Sequence, residues 1–456
     1  NSMTPSRKWM PVVRRSLVAL AVLATLLALF VVEENWRGDR AWRETERDLR
    51  ARGVALDFTG QATPPVPDAL NFFKEPLLES VLYRENPNPG AVQLIAALEH
   101  LTANTPNASS DSPYDLPAIR AQFQKAKLIG DSASPDPALD LLNALQPVAP
   151  LLDAVRHAGL ERPRAWMPFR LTTEQPEIRL GTIFELGRLI AFRAKLEIAL
   201  GRTDDAFADL MATLRLADGI WTGPKSTMQV LIGIALYRLA ADSLTFGCAR
   251  HSWSDHQLAR LQALFSKHDS IAKFSNGLSM ERLWMMRYLE NPQTIAPGFA
   301  SFPILIRGWV QQNRVSTSHF YDAALATLDP ATGEISTGRL AILKGLEARL
   351  KKSVSPYFLI RRLAFSQWGI ISNFGEEVNG LSCAVAVIGL ERHYVAHGGY
   401  PPTLDALVPA FLPAAPHDVF DGRPLGYSLG ADGAYTLSSL MADGRNRRTH
   451  TLNESR

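Results

Sequence analysis

Histidine and acidic side chains are the groups in this sequence whose types and spacing could carry out chemistry. His393 and His397 stand four residues apart, which places both imidazoles on one face of a helix, where a metal ion could bind. Glu391 is the nearest carboxylate, but its place on the helix directs it to another face, so the third ligand is missing. We therefore interpret the histidine pair as a solvated helix end.

Two further pairs are weaker candidates. His251 and His256 flank the segment Ser-Trp-Ser-Asp, which is typical of a turn followed by the N-terminal cap of a helix. Glu376 and Glu377 could serve as a general acid and base, but adjacent residues on a helix point in different directions. Neither pair has an assignable partner, so we predict no catalytic residues.

The missing motifs and the composition exclude several classes of function. The sequence contains no phosphate-binding loop, dinucleotide-binding glycine motif, zinc-protease motif or hydrolase nucleophile elbow. With 48 basic and 45 acidic residues the net charge is +3, so no overall field attracts nucleic acid. Cys248 and Cys383 form no metal-binding pattern, and we favour two separate buried thiols over the disulfide that an exported location would permit. We expect no enzyme activity, no cofactor, no metal site and no nucleic-acid partner.

The clearest feature of the chain is an apolar run near its start. Residues 16–32 carry no charge and would span roughly 26 Å as a helix, close to the hydrocarbon core of a bilayer. Basic residues precede the run and acidic residues follow it, so the positive-inside rule places the N-terminus in the cytoplasm. We predict a single-pass anchor that binds the inner membrane through 16–32, with the bulk of the chain in the periplasm or another extracytoplasmic space. The flanking charges are Arg7, Lys8, Arg14, Arg15, Glu33 and Glu34.

A cleaved signal peptide and a buried core helix are the alternative interpretations of the apolar run. A signal peptide ends in small residues at its cleavage site, whereas this run ends in Phe30, Val31 and Val32 and then turns acidic. A core helix of a globular domain would carry a polar face, and the run has none. Both comparisons favour an uncleaved anchor.

Composition divides the chain into segments of a mainly α-helical protein. Phe72 and Phe73 should attach the proline-rich strap to the main body. The aromatic and arginine-containing segments 299–310 and 355–371 could contact the membrane or a partner, although core burial is the simpler interpretation. The segments are a basic cytoplasmic stretch (1–15), the anchor (16–32), a charged, solvated stalk with the strap (33–116), a helical-hairpin domain (117–353), and a long helix with a small α+β module (354–456).

The clearest helical unit lies at residues 180–220. Gly201 should end its first helix, and Asp204 should lie at the start of the second, where an acidic side chain suits the helix dipole. The turn from Gly201 to Ala206 resembles a tetratricopeptide-type hairpin, but no 34-residue period repeats three times, as an array of such hairpins requires. We expect an irregular helical-hairpin body. Further helices are predicted near 226–246, 254–267, 270–290, 304–327 and 337–352.

A long helix near 363–397 leads into the C-terminal module. Gly398 and Gly399 should end that helix, and Thr403 should cap a short helix after it. Residues 445–448 are strongly basic and should form a solvated tail.

The rest of the module has the signals of a β-hairpin. Strands are predicted at 425–429 and 435–440, joined by a turn at Asp432-Gly433 that requires positive φ. Asp418 and Asp421 should accept hydrogen bonds within a preceding turn.

The order of these turn residues resembles the C-terminal part of type II secretion major pseudopilins over about 55 residues. The resemblance implies a structural turn motif at Gly399, Tyr400, Pro401, Asp418, Phe420, Gly422, Pro424, Tyr427, Asp443 and Gly444. The chain departs from that family because Arg14 to Val18 lacks the pilin processing site, and because Arg445 to Arg448 replaces the acidic residues of the family's calcium loop. We therefore carry over neither polymerisation nor a calcium site.

The whole chain also resembles a set of bacterial single-pass membrane proteins. These share the segment Glu34 to Trp42, the strap at Pro64 to Asp68 and the C-terminal module. This resemblance implies architecture and location but no activity. We expect a membrane-tethered, non-catalytic scaffold that binds a protein partner in the envelope. A pseudopilin-related secretion subunit and an envelope hydrolase are the alternatives.

Overall fold

The fold is mainly helical, with a long apolar helix at its N-terminal end and small antiparallel sheets toward its C-terminal end, as the sequence predicted. A computed structural model describes residues 10–58, 64–83, 89–106, 114–130, 134–167, 178–222, 225–266, 269–290, 307–352, 366–443 and 447–452. The predicted membrane or partner contacts at 299–306 and 355–365 lie outside the described residues.

The helices are α1 Met10–Ala51, α2 Pro76–Leu82, α3 Pro89–Asn104, α4 Leu116–Lys125, α5 Pro137–Ala144, α6 Ala149–Glu161, α7 Leu180–Ala199, α8 Thr203–Trp221, α9 Thr227–Cys248, α10 Asp255–Phe265, α11 Ser270–Glu290, α12 Arg307–Leu325, α13 Thr337–Lys352 and α14 Gln367–His397. The strands are β1 Leu328–Asp329, β2 Glu334–Ile335, β3 Gly426–Leu429, β4 Tyr435–Leu440 and β5 Arg447–Leu452.

The chain forms two compact units, and each is assembled from segments that are distant in sequence. The anchor unit contains α1 and most of α12. The body unit contains α2 to α10, the β-strands and α14. The bounds are 1–58, 281–323 and 344–365 for the anchor unit, and 59–280, 324–343 and 366–456 for the body unit.

Helix α1 carries the apolar run and continues without interruption into the charged stalk. Every side chain from Val12 to Phe30 is exposed, and the helix is long and apolar enough to cross a membrane. The Thr25 hydroxyl donates to the Ala21 carbonyl (2.9 Å), so this polar group is satisfied within the helix. These properties suit a single membrane anchor.

Immediately after the apolar run, α12 packs against α1 at a contact that we call the clamp. Gly38 and Gly308 bring the two backbones together, and a Cβ atom built on Gly308 would lie 1.9 Å from the Glu34 carbonyl oxygen. Trp309 Nε1 donates to the carboxylate of buried Glu34 (3.0 Å). Gly308 N–H donates to Asn35 Oδ1 (2.8 Å). Only glycine permits this approach, and the polar side chains beside it fix the register of the two helices.

The same helices contact each other further along the stalk. The guanidinium carbon of Arg314 lies 3.7 Å from the centre of the Trp42 ring, and Arg52 pairs with Asp322 (2.8 Å). One face of the stalk is therefore buried, in contrast to the solvated stalk that its alternating charges predicted. A small core here consists of Trp42, Leu49 and Met286.

In the body unit, α7 and α8 form the predicted hairpin. Gly201 has φ +73° just after the end of α7, as expected of a helix-ending glycine. Trp221 at the end of α8 donates its Nε1 to the Val230 carbonyl (3.0 Å) and covers Gly233 on α9. Helix α9 is also apolar enough to span a membrane, but most of it is buried in the body unit, as the sequence predicted. Repetition of the hairpin in the tetratricopeptide manner stays a prediction.

The proline-rich strap attaches to the body through its two phenylalanines. Phe72 and Phe73 are completely buried, and Phe72 N–H donates to the Arg164 carbonyl (2.7 Å). The Asn71 amide bonds the backbone of Trp166 in both directions, at 2.9 and 3.0 Å. The predicted attachment is thus confirmed.

The C-terminal module is a three-stranded antiparallel sheet in the order β3-β4-β5, packed against α14. Gly398 ends α14 with φ +73°, and Gly433 lies in the predicted hairpin turn with φ +82°. The expected basic tail was wrong for Arg447 and Arg448, because they lie on β5 and pair with β4.

Two further predictions in this region require correction. Thr403 makes no side-chain cap, and a 3₁₀ turn at Leu404–Leu407 replaces the short helix that was expected there. The strands β1 and β2 form a small hairpin between the predicted helices 304–327 and 337–352, where no strand was predicted. Ile335 N–H on β2 donates to the Val419 carbonyl (2.7 Å), which connects this small hairpin to the C-terminal module.

The Gly308→Ala substitution should destabilise the anchor unit by about 1–3 kcal/mol, because the new methyl group overlaps the backbone of α1. Gly345→Ala on α13 is the matched control, since a Cβ atom there meets open space and should stabilise the helix slightly. Thermal unfolding in detergent, followed by tryptophan fluorescence, distinguishes the two variants. Equal melting temperatures would contradict the clamp.

Candidate functional site

The predicted turn motif is organised around one buried carboxylate. Asp418 accepts hydrogen bonds from Asn379 Nδ2 (3.1 Å) and Phe420 N–H (2.9 Å), and from the backbone N–H of Leu440. Asn379 Oδ1 in turn accepts from Val419 N–H (2.8 Å). These bonds tie α14, the turn and β4 together. The predicted turn role of Asp418 is confirmed, and its contacts with α14 and β4 go beyond that prediction.

Other residues of the predicted turn motif lie elsewhere in the same module. Asp421 accepts from Arg423 N–H (3.0 Å), as predicted. The Phe420 ring covers Gly375 of α14, and Pro424 pairs through its backbone with His417. Asp443 follows β4, and Gly444 lies outside the described residues.

A second group of motif residues makes hydrogen bonds near the C-terminal end of α14. The Tyr427 hydroxyl donates to the Pro401 carbonyl (2.7 Å), and the Tyr400 hydroxyl donates to the Glu391 carboxylate (3.3 Å). His393 Nδ1 donates to the Gly399 carbonyl (2.7 Å). The motif therefore consists of residues whose hydrogen bonds connect the end of α14 to the sheet.

Buried Glu391 is the centre of a polar and aromatic cluster. Only 1% of Glu391 is exposed, and its carboxylate also accepts from His251 Nδ1 at 2.9 Å. Burial raises the pKa of this carboxylate. His251 has φ +49°, unusual for a residue other than glycine, and its ring stacks on Tyr394 at 4.1 Å. His251 lies in an exposed turn, as its sequence context predicted, and in addition pairs with buried Glu391.

The helical hairpin contains a buried ionic network. The Arg193 guanidinium donates to both carboxylate oxygens of completely buried Asp209, at 2.7 and 2.8 Å. Arg156 donates to Asp209 (2.8 Å) and to Glu197 (2.6 Å). Burial, together with the negative charge of Asp209, raises the pKa of Glu197 to about 8. This network joins α6, α7 and α8, and its closed geometry indicates a structural role.

A polar groove lies beside the Asp418 turn, with a cavity volume of about 460 Å³. Its walls are the start of α11, the turn between β1 and β2, one face of α14 and the segment 417–422. Asp269, Glu334 and Asp418 contribute the carboxylates of the lining, and among the described residues no lysine or arginine lines it. The groove is therefore acidic.

Glu334 occupies a defined place in this groove. Its carboxylate lies over Gly422, where a Cβ atom would come within 2.4 Å of Glu334 Oε1. Gly422 also has φ +66°, a conformation that other residues adopt only with strain. Glycine at 422 thus allows both the turn and the position of the carboxylate.

Ser270 and His417 line the same groove, a pair that occurs in hydrolases. A serine nucleophile requires a base within about 2.6–3.2 Å of its hydroxyl. The buried Ser270 Oγ has no hydrogen-bond partner, so the structure shows no bond between Ser270 and His417.

The histidines singled out by spacing, His393 and His397, contact backbone carbonyls and an aromatic ring. His393 and His397 lie together at 4.3 Å between ring centres, and both rings contact Phe411. Among the described residues, no group of three or more histidine, cysteine, aspartate or glutamate side chains has metal-binding geometry. Cys248 and Cys383 are both buried and are not joined by a disulfide, and burial strongly raises the pKa of the Cys248 thiol.

Comparison with protein-family models, with curated proteins and with solved structures finds no match to this chain. The resemblances stated from the sequence remain predictions. The anchor and the groove are therefore the features of the molecule that bear on its function.

Sequence reasoning missed three groove residues, namely Asp269, Ser270 and Glu334. They lie far apart in the chain, and each alone is typical of a surface turn or a helix start. The one available signal was Gly422, which the turn motif already marked. Its role against Glu334 depends on the hairpin of β1 and β2, which the sequence did not predict.

The Asp418→Ala substitution should lower stability by about 2–5 kcal/mol, because it leaves buried N–H donors of three residues without an acceptor. Asp421→Ala is the matched control, since it removes one exposed hydrogen bond three residues away and should cost less than about 1 kcal/mol. Urea unfolding followed by circular dichroism measures both. Comparable losses would show that Asp418 does not organise the module.

Proposed function

We propose that this chain is a membrane-tethered scaffold, without catalysis of its own, that holds a protein partner close to the bilayer. The observation that carries the proposal is the continuity of α1 from an exposed apolar surface into the clamp with α12. A helix without a joint between the bilayer and a folded unit fixes that unit at the membrane surface. Such a fixed position suits a scaffold.

The flanking charges support one orientation of the tether. Arg14 and Arg15 precede the apolar run, whereas Glu33 and Glu34 follow it. Because basic residues are retained on the cytoplasmic side, the N-terminus lies in the cytoplasm. The folded units then lie in the periplasm or another extracytoplasmic space.

The places of three buried ionisable groups with shifted pKa values support a non-catalytic role. Catalytic groups with shifted pKa values usually face a cleft that substrate can enter. Here Lys195, whose pKa is lowered by burial, lies under the Tyr114 ring at 4.5 Å. Glu197 lies in the ionic network, and Cys248 is buried. Each belongs to the packed interior of the body unit, away from the groove lining.

The body unit offers surfaces suited to a partner. Its helical hairpins leave exposed apolar side chains at Val92, Leu160 and Met228, and its groove supplies a polar recess. Packed helical hairpins commonly bind proteins through such surfaces. The partner is an envelope protein that meets the scaffold at the membrane.

Photo-crosslinking in intact membranes tests the scaffold. A photoreactive amino acid placed at Val92, Leu160 or Met228 should give a discrete crosslinked product with one and the same partner protein. The control is the same chain with Leu23→Arg and Leu26→Arg, which removes the apolar continuity of the anchor and should abolish the product. Crosslinks only to lipid or to further copies of this chain, from every position, would refute the proposal.

A further inference from the structure

We infer that the acidic groove binds the ammonium or guanidinium group of a lysine or arginine side chain, presented by a peptide segment of the partner protein. This inference rests on the proposed function, because it takes the chain to be a binding protein and assigns the chemistry that its groove recognises.

The charge of the lining supports a cationic ligand. Asp269 and Glu334 bring carboxylates to the groove, and no lysine or arginine among the described residues lines it. Two basic residues close in sequence to the lining are engaged elsewhere. Lys273 lies over the Trp221 ring at 4.9 Å, and Arg339 donates to the Ala326 carbonyl at 2.7 Å. The negative charge of the lining is therefore not balanced from within the lining.

The three carboxylates of the lining have different roles. Asp418 is saturated by its internal hydrogen bonds. Asp269 Oδ1 accepts from Ala272 N–H (3.3 Å) and thereby caps the first turn of α11. Glu334 is exposed, and its carboxylate lies over Gly422 at the groove. Glu334 is thus the carboxylate best placed to pair with a cation.

Ser270 provides a second, independent indication of a ligand. This residue lines the groove and is only 4% exposed, yet its hydroxyl has no hydrogen-bond partner. A buried hydroxyl without a partner costs free energy that a hydrogen bond would recover. The backbone of a bound peptide has both donors and acceptors, so it can supply the missing bond. The Ser270 hydroxyl would then recognise the peptide backbone while Glu334 recognises the side chain.

The dimensions and ligand set of the groove favour an organic cation. Its volume of about 460 Å³ falls within the roughly 300–1,000 Å³ typical of small-ligand sites. It therefore has room for a long side chain with the adjoining backbone. Asp418 and Asp269 already accept internal hydrogen bonds, which leaves Glu334 as the main carboxylate for a ligand. One carboxylate suits an organic cation better than a divalent ion, which needs several oxygen ligands.

The test uses the purified full chain in lipid nanodiscs, titrated with blocked amino acids and followed by NMR. The probes are Nα-acetyl-lysine amide, Nα-acetyl-arginine amide and the uncharged Nα-acetyl-norleucine amide. Both cations should bind at least about tenfold more tightly than norleucine amide, the difference expected of one charge-assisted hydrogen bond. Glu334→Gln should abolish that preference. Asp405→Asn, an exposed carboxylate of the same unit outside the groove, should leave it unchanged.

Ser270→Ala separates binding from folding. Because the hydroxyl has no internal partner to lose, the variant should unfold at a higher temperature than the native protein while binding both cations more weakly. A purely structural serine would lower the melting temperature instead, which would contradict the role given to its hydroxyl.

Equal affinity for norleucine amide and the two cations would overturn the inference, as would equal effects of Glu334→Gln and Asp405→Asn. The scaffold proposal fails on separate grounds. If the crosslinked partner persists while the groove shows no preference for cations, the partner binds elsewhere on the body unit, and the groove inference alone is lost.

Discussion

The contact between Gly38 and Gly308 is the constraint on which the anchor unit depends. Two helix backbones meet there at a separation that leaves no room for a side chain, directly after the last residues of the apolar run. Small residues permit such approaches in membrane helices for the same steric reason. The buried Glu34 carboxylate and the Trp309 indole beside this contact bond each other, so the stalk has one register against α12. A charged helix that would otherwise be a free-standing spacer becomes part of a folded core.

A different principle organises the C-terminal module of the body unit. There a single carboxylate, Asp418, satisfies backbone and side-chain donors from three elements, and buried polar networks of this kind specify one arrangement because partial satisfaction is costly. The groove is a consequence of that arrangement. With α14, the turn and β4 fixed by Asp418, and β2 joined to Val419, Glu334 and Ser270 are brought to one recess. The hydrogen bonds that stabilise the module and the proposed ligand contacts thus lie along the same groove, but they use different carboxylates, Asp418 and Glu334.

Local signals in the sequence predicted much of this architecture. The apolar run, the positive-φ glycines Gly201, Gly398 and Gly433, and several helix bounds follow from short-range physics, and they agree with the structure. Contacts between residues that are distant in the chain could not be predicted from these local signals. Strand β5 is rich in arginine, so composition predicted a solvated tail, and only its register against β4 defines it as a strand. The burial of Glu34 and the pairing of His251 with Glu391 likewise depend on residues that are distant in the chain.

In the proposed orientation the folded units lie on the side of the membrane opposite the N-terminus, and site-directed labelling tests this most directly. Cys248 and Cys383 are buried, so a membrane-impermeant maleimide should report only on an added cysteine. In cells with a permeabilised outer envelope and an intact inner membrane, Asp432→Cys, in an exposed hairpin turn, should be labelled without further treatment. Ser6→Cys, before the apolar run, should label only after the membrane is dissolved. Labelling of Ser6→Cys in intact cells with protection of Asp432→Cys would contradict the account.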